Sequence, residues 1–259
     1  WPGQGLSIPN HNSEGKSIEE QKKERIKNIE DLDEFFNQAE AYKRRRLAAP
    51  KSKTDLNPSW EAMLPFVSQK SPLVIHADEK RQIASALDWA EKRKYKIIIS
   101  GGRDSWKIAE RIAAMQVPVI YRHVFSAPPQ TNLAHDIHFR AAGILARAGV
   151  ELSIGLRLGA WSAANQRNLP YHAAHSIPLG LKRKDALAAI TIHPAKLMGV
   201  HSQLGTLEKG KDATFIGCSG DIFDLRTSVK KMIIAGKEVD LSSRHTRLFE
   251  RYQKRPRLD

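Results

Sequence analysis

Between residues 71 and 158, short apolar runs alternate with longer amphipathic stretches, and this rhythm constrains the fold more than any other feature of the sequence. Runs of about five residues rich in Ile, Val and Leu are typical of buried strands, and the intervening stretches of about 10 to 15 residues have helical periodicity. The strand-like runs are SPLVIHA, YKIIISGG, VPVIYRHV and VELSIGL. The alternation predicts four βα units of a parallel sheet, which belong either to an open doubly wound sheet or to half of an eight-stranded barrel.

The first 70 residues are predicted to hold a loop and a long amphipathic helix. Residues 1–15 are rich in Gly, Pro, Asn and Ser, which is typical of a loop. From Ser17 the apolar spacing becomes helical, and Ser17 with Glu20 forms a capping-box pattern, in which each side chain binds the backbone N–H of the other. The helix is predicted to end before Pro50, and a short helix follows in NPSWEAMLPFVSQ.

The last third of the chain changes from helical to β patterns. Residues 181–200 predict an amphipathic helix that is interrupted at His193 and Pro194, because proline removes an N–H group and disfavours the helical region for the residue before it. Three β-rich runs follow, and the last two flank a turn that suits a tight hairpin. The runs are ATFIG, VKKMIIAG and KEVDL.

Composition excludes several classes of protein. A single cysteine, Cys218, excludes a disulfide framework and a four-cysteine zinc site, and leaves both cytosol and periplasm open. No run of about 18 apolar residues is present, so a soluble protein without a transmembrane helix is predicted. The chain is basic, with 42 Lys and Arg against 28 Asp and Glu and a net charge of +14. Because this excess is spread over several segments without a recognition motif, nucleic acid is not expected as a partner.

A dense signature in the last third, ALAAITIHPAKLMGVHSQLGTLEKGKDATFIGCSGDIFD, resembles the C-terminal segment of the metal-dependent amidohydrolase superfamily. The segment NLPYHAAHSIPLGL is similar to the helix after strand eight in an imidazolonepropionase-like branch of that family. The resemblance implies an α/β fold in which residues 71–200 hold strands five to eight of a (β/α)8, TIM-like barrel. Residues 1–70 would then pack on the barrel, and residues 201–259 would hold strands of a small β-sandwich and a basic tail.

The resemblance also implies where the chemistry lies. In this family the active site is at the C-terminal ends of the strands, where one or two divalent metals lower the pKa of bound water and polarise the scissile carbonyl. His76, in LVIHADE, matches the strand-five metal ligand. A divalent metal, zinc in the first place, is therefore implied for an intact family member, and the resemblance leaves open that this chain holds none.

Other family positions depart from the pattern. Strand six usually carries His-Gly, but here Gly101 and Gly102 stand there, which predicts either close backbone approach to a substrate or a tight strand-to-helix turn. Strand eight usually carries a proton-shuttling aspartate, but the sequence offers Arg157, which cannot accept a proton. We therefore predict His123, at the end of VPVIYRHV, as the catalytic residue and Gly101, Gly102 and Arg157 as substrate-binding residues.

One histidine pair offers a minor alternative for a metal. His172 and His175 lie at helical spacing and so share a helix face. Helix faces in these barrels usually point away from the active site, which disfavours a shared metal at this pair.

Two functions follow from the resemblance. The leading prediction is a hydrolase that uses metal-activated water on a non-peptide C–N bond of a small cyclic amide or imine. The alternative is a non-catalytic barrel that serves as a binding or assembly scaffold, because two family site residues are absent. A full barrel needs about 200 to 250 residues, so the sequence also predicts either an N-terminally truncated chain or a half barrel that pairs, as a homo-oligomer or with the missing N-terminal half.

Overall fold

The computed structural model describes residues 17–48, 56–157 and 159–253. The loop predicted for residues 1–15 and the end of the predicted basic tail, 254–259, lie outside these ranges. Contacts between Cα atoms divide the chain into two compact units, one up to Ala189 and one from Ile190. None of the helices within the described ranges is long and apolar enough to cross a membrane.

The first unit is built around a four-stranded parallel sheet in the order β1-β2-β3-β4. The strands are β1 (Leu73–Ala77), β2 (Ile97–Gly101), β3 (Val119–Tyr121) and β4 (Leu152–Ile154). Ala77, Gly101, Tyr121 and Ile154 lie side by side across the sheet, so the carboxyl ends of all four strands reach the same edge. The predicted βα units are confirmed, and the architecture is that of a partial TIM-like barrel.

Helices precede the sheet, connect its strands and follow its last strand. They are α1 (Ile18–Ala48), α2 (Pro58–Val67), α3 (Lys80–Arg93), α4 (Ala109–Ala114), α5 (Ile137–Arg147), α6 (Ala160–Ala164), α7 (Leu169–Ser176) and α8 (Arg183–Ile190), with 3-10 helices at Ser105–Ile108 and Gln166–Asn168. Apolar residues spaced three or four apart bury one face of each long helix. In α3 these are Ile83, Ala86, Leu87 and Ala90, all at most 3 % exposed.

Strand β1 is less buried than the strands beside it. Ile99, Val119 and Tyr121 are fully buried on one face of the sheet, and Ile98 and Ser100 of β2 are buried on the other. On that second face of β1, Val74 is 46 % exposed and His76 is also exposed. Within the described part of the chain, β1 has no strand on its outer side. An edge strand of this kind presents unpaired backbone N–H and C=O groups.

The sequence of helix α1 accounts for its N-terminal cap and for its packing against α3. The Ser17 N–H donates to the Glu20 carboxylate at 2.7 Å and the Glu20 N–H donates to the Ser17 hydroxyl at 3.2 Å, which confirms the predicted capping box. Farther along, Phe36 is 5 % exposed and packs against the rings of Trp89 and Tyr95. These contacts fix α1 beside α3.

The second unit contains a small antiparallel sheet. Its elements are α9 (Ile192–Leu197), β5 (Phe215–Cys218), β6 (Val229–Ile234), β7 (Lys237–Glu238) and α10 (Arg244–Gln253), with the strands in the order β5-β6-β7. Ala235 and Gly236 both have positive φ, 48° and 78°, which is the backbone geometry of a two-residue hairpin turn. The predicted hairpin is therefore confirmed, and part of the predicted basic tail is the helix α10.

The predicted helix break lies at a different residue. Thr191, with φ −129° and ψ −87°, separates α8 from α9, so the interruption is not at His193 and Pro194. Pro194 is the third residue of α9, where its missing N–H has no helical partner to lose. Proline therefore marks the start of the second helix rather than the break itself.

Candidate active site at the carboxyl edge of the sheet

Five polar side chains come together where the parallel strands end. His76 lies in β1, Asp78 follows β1, Arg122 and His123 follow β3, and Arg157 follows β4. We call this group the mouth. It contains three of the five residues that the sequence predicts for the site, namely His76, His123 and Arg157.

The shortest polar contact between members of the mouth joins Asp78 to His123. His123 Nε2 lies 2.8 Å from Asp78 Oδ1, and His123 Nδ1 lies 2.9 Å from the hydroxyl of Ser126. The imidazole is 9 % exposed, whereas the carboxylate is 40 % exposed. Because an ionised carboxylate only accepts hydrogen bonds, Nε2 carries the proton of the neutral ring and Nδ1 accepts from Ser126.

The surroundings of Asp78 keep it ionised. Burial raises the pKa of its carboxyl, but the hydrogen bond from His123, the backbone N–H of Arg103 and the charge of Arg122 together lower the pKa by more, so the net shift is downward. Asp78 is therefore a carboxylate at neutral pH, and it is the member of the pair that faces solvent.

Two glycines make room for this pair. Gly101 has φ +109°, and a Cβ there would lie 2.2 Å from Asp78 Oδ1. Gly102 has φ +70° and donates its N–H to the Ala77 carbonyl at 2.8 Å. The glycines thus form the tight turn at the end of β2, one of the two alternatives left open by the sequence. Their role in binding a substrate stays a prediction.

Arg122 lies against His76. Its Nη2 is 3.4 Å from His76 Nδ1, and its Nε is buried without a hydrogen-bond partner among the described residues. Burial lowers the pKa of Arg122, and the nearby charge of Arg157 lowers it further, whereas Asp78 raises it. Burial and the charge of Arg122 likewise lower the pKa of His76.

The described residues do not fit a metal centre by themselves. No group of three or more His, Cys, Asp or Glu side chains within the described ranges is placed to hold a metal ion. The guanidinium beside His76 opposes a second cation there, because like charges disfavour each other at short range. That His76 is a metal ligand stays a prediction, one that requires ligands from additional polypeptide.

The histidine pair on α7 packs against an aromatic ring. The rings of His172 and His175 meet Phe125 edge-on, at centroid distances of 4.5 and 4.7 Å. His175 Nδ1 also lies 2.8 Å from the Tyr171 carbonyl. Packing against Phe125 therefore accounts for the positions of both histidine rings.

Sequence reasoning missed Asp78 and Arg122. Asp78 follows a predicted strand end, where a carboxylate would face the mouth, so its position was a usable signal. Arg122 precedes His123, but its contact with His76 depends on how β1 and β3 are placed across β2. Distances between strands of this kind are not encoded in the local pattern.

Comparison with known proteins agrees with the fold. The model of the amidohydrolase family matches residues 14–239. No curated protein matches the sequence. An amidohydrolase from Thermotoga maritima MSB8 has 23 % sequence identity and a TM-score of 0.74, over 87 % of this chain and 61 % of its own. This chain therefore spans less than two thirds of the length of that protein.

Two further solved structures share the fold at lower similarity. A zinc-bound adenosine deaminase from Xanthomonas campestris has 18 % identity and a TM-score of 0.50, over 85 % of this chain and 61 % of its own. A prolidase complexed with N-methylphosphonate-L-proline has 19 % identity and a TM-score of 0.50, over 66 % of this chain and 46 % of its own.

Proposed function

Because this chain belongs to the amidohydrolase family, we propose that its mouth hydrolyses a non-peptide C–N bond in a small cyclic amide or imine. The observation that carries the proposal is the 2.8 Å contact between Asp78 and His123. The two residues follow β1 and β3, and Gly101 of the intervening β2 leaves the space between them open. An exposed carboxylate held by a buried imidazole is a group that can accept and return a proton.

In the proposed mechanism, Asp78 removes a proton from the attacking water. The hydrogen bond from His123 Nε2 orients the carboxylate, and the pair together holds the proton while water adds to the carbon of the C–N bond. The pair then returns the proton to the leaving nitrogen as the C–N bond breaks. Ser126 fixes the tautomer of His123 by donating to Nδ1.

The test is hydrolysis of a panel of cyclic amides and imines by the full chain, with added Zn²⁺ and with a chelator in parallel. The proposal predicts turnover of at least one compound. Asp78→Asn and His123→Asn should each lower kcat/KM by about 100-fold to 10,000-fold, the range typical of general acid–base groups. No turnover in either arm, by the wild-type chain or by the completed form described below, would overturn the proposal.

Asp88 serves as a control for the loss of a carboxylate charge outside the mouth. Asp88 lies on α3 and pairs with Arg111, with 66 % of its side chain exposed. Asp88→Asn should leave kcat/KM unchanged, since this residue is not part of the mouth. Thermal unfolding of all three variants separates loss of chemistry from loss of fold. Equal kcat/KM in wild type and in a folded Asp78→Asn variant would contradict the assignment.

We also propose that additional polypeptide completes the mouth, either the N-terminal half of a longer chain or a second copy of this one. The open outer side of β1 and the 61 % coverage of the Thermotoga protein support this. Zinc in such a completed form stays a prediction. Light scattering tests the second copy: twice the 29.1 kDa of this chain indicates a dimer, and 29.1 kDa excludes it.

A scaffold without catalysis is the second candidate. The guanidinium of Arg122 next to His76 favours it, because a cation stands beside the position that the family uses for a metal ligand. A folded chain that turns over nothing in the panel but binds a panel compound in a titration would support the scaffold. Turnover that is lost on Asp78→Asn would exclude it.

A further inference from the structure

Arg122 is a partly buried cation without an acidic partner in contact. Among the described residues it forms no ion pair within 4.0 Å, and its guanidinium has one polar contact there, to His76 Nδ1 at 3.4 Å. Its Nε is shielded from solvent and has no acceptor within the described part of the chain. Buried charges and buried donors are usually paired, because leaving them unpaired costs free energy.

Gly155, after β4, lies beside the stem of Arg122. A Cβ at this glycine would be 3.4 Å from Arg122 Cγ, an ordinary van der Waals contact, and 3.1 Å from Ile120 Cγ2. The stem of the arginine therefore runs along the end of β4, which places its planar donor group in the mouth.

Arg157 is a second cation close to Arg122. Arg157 is exposed and close enough to Arg122 for the two charges to influence each other. The neighbouring carboxylate, Asp78, is already hydrogen-bonded to His123 and to the backbone of Arg103. Two guanidinium groups against one carboxylate leave a single positive charge in excess.

We propose that Arg122, assisted by Arg157, binds a carboxylate group of the ligand that enters the mouth. A guanidinium offers paired N–H donors that match the two oxygens of a carboxylate. A monocarboxylate neutralises the excess charge, whereas a phosphate dianion exceeds it. The inference rests on the proposed function for the role of the mouth, and it narrows the substrate class to cyclic amides or imines that carry a carboxylate.

Binding can be tested without knowing the substrate. The probes are N-acetylglycine and its uncharged analogue N-acetylglycinamide, added to the full chain while the Nε–H signals of arginine are followed by NMR. The proposal predicts a saturable shift of the Arg122 signal with N-acetylglycine, with a dissociation constant on the order of millimolar. N-acetylglycinamide should produce no saturable shift, and inorganic phosphate should bind more weakly than N-acetylglycine.

Variants locate the site. Arg122→Met keeps most of the stem and removes the charge, and it should weaken N-acetylglycine binding by about tenfold to 100-fold, as expected for loss of charged hydrogen bonds. Arg157→Met should weaken it less. Arg140→Met is the matched control, because Arg140 is 54 % exposed on α5 and pairs with Asp136. Its binding should equal that of wild type.

Several results would overturn the proposal. They are equal binding of N-acetylglycine and its amide, tighter binding of phosphate, or equal loss in the Arg122→Met and Arg140→Met variants. If the panel of cyclic compounds shows no turnover but N-acetylglycine still requires Arg122, the hydrolase proposal fails and the carboxylate site stands. If turnover is found on uncharged compounds and N-acetylglycine does not bind, only the carboxylate site fails.

Discussion

Gly101 decides whether Asp78 can reach His123. The backbone at Gly101 has φ +109°, and the space where a side chain would begin is occupied by the Asp78 carboxylate. An L-residue there faces both a strained backbone and a collision. The absence of a side chain on β2 is therefore what allows residues from β1 and β3 to meet.

Gly101→Ala should lower the free energy of unfolding and displace Asp78. Backbone strain of this kind costs about 1 to 3 kcal/mol, and the 2.2 Å approach to Asp78 Oδ1 adds to it. Urea denaturation measures the loss. Gly149→Ala is the matched control, since Gly149 has φ +88° with no atom within 4 Å of the added Cβ. Equal losses in both variants would mean that Asp78 is not in contact with Gly101.

Helix α1 is held to the first unit by one aromatic cluster and one polar one. Phe36 lies 5.2 Å from the ring of Trp89 and 5.1 Å from that of Tyr95, measured between centroids. The Asp33 carboxylate accepts from Trp89 Nε1 at 2.9 Å and from Arg93 Nε at 2.8 Å. The buried rings contribute more to stability than the partly exposed ion pair, which is screened by water.

Phe36→Ala should therefore cost about 3 to 5 kcal/mol, the range for removing a buried phenyl ring. Phe35 is its matched control on the same helix, with 43 % exposure and a ring contact to Trp60. Phe35→Ala should cost clearly less in the same urea titration. Similar costs for the two variants would contradict the packing of α1 through Phe36.

The regular elements could be predicted because their signals are local. The Ile, Val and Leu runs of the strands and the helical spacing in α3 and α5 depend on residues close in sequence, and both the sheet and these helices are found where the patterns place them. The break between α8 and α9 was misplaced by two to three residues. Proline limits where a helix can continue, but Thr191 leaves helical geometry for reasons that its own propensity does not reveal.

The site was predictable only in part. His123 lies near the end of a predicted strand, Arg157 follows another, and His76 lies within a third. Asp78 and Arg122 acquire their roles from distances across three strands, to His123 and to His76. Local patterns fix which residues reach the mouth but not which of them touch.

A buried Tyr–His pair lies behind the mouth and links stability to pH. The Tyr121 hydroxyl lies 2.8 Å from His138 Nδ1, and His138 is 1 % exposed. Burial lowers the pKa of His138 to about 4, with contributions in the same direction from His123, Arg103 and Lys107 and an opposing one from Asp104. Below the unfolded-state pKa of 6.5, the unfolded chain binds a proton that the folded chain does not.

The free energy of unfolding should therefore fall as pH drops from 6.5 towards 4. The loss at pH 4.5 relative to pH 7.5 is on the order of 1 to 2 kcal/mol from this group. His138→Gln should be less stable at neutral pH, and its pH dependence should be flatter than that of wild type. His245→Gln, an exposed residue on α10, serves as control and should keep the wild-type slope. An unchanged slope in His138→Gln would contradict the assignment.

The most direct test of the account is the protonation state of His123, read from the imidazole nitrogens by long-range 1H–15N NMR of the full chain at neutral pH. The structure predicts that Nε2 carries the proton, that Nδ1 accepts a hydrogen bond, and that Asp78→Asn shifts both signals. A ring protonated at Nδ1 alone, or signals that do not respond to Asp78→Asn, would show that the Asp78–His123 pair does not exist in solution.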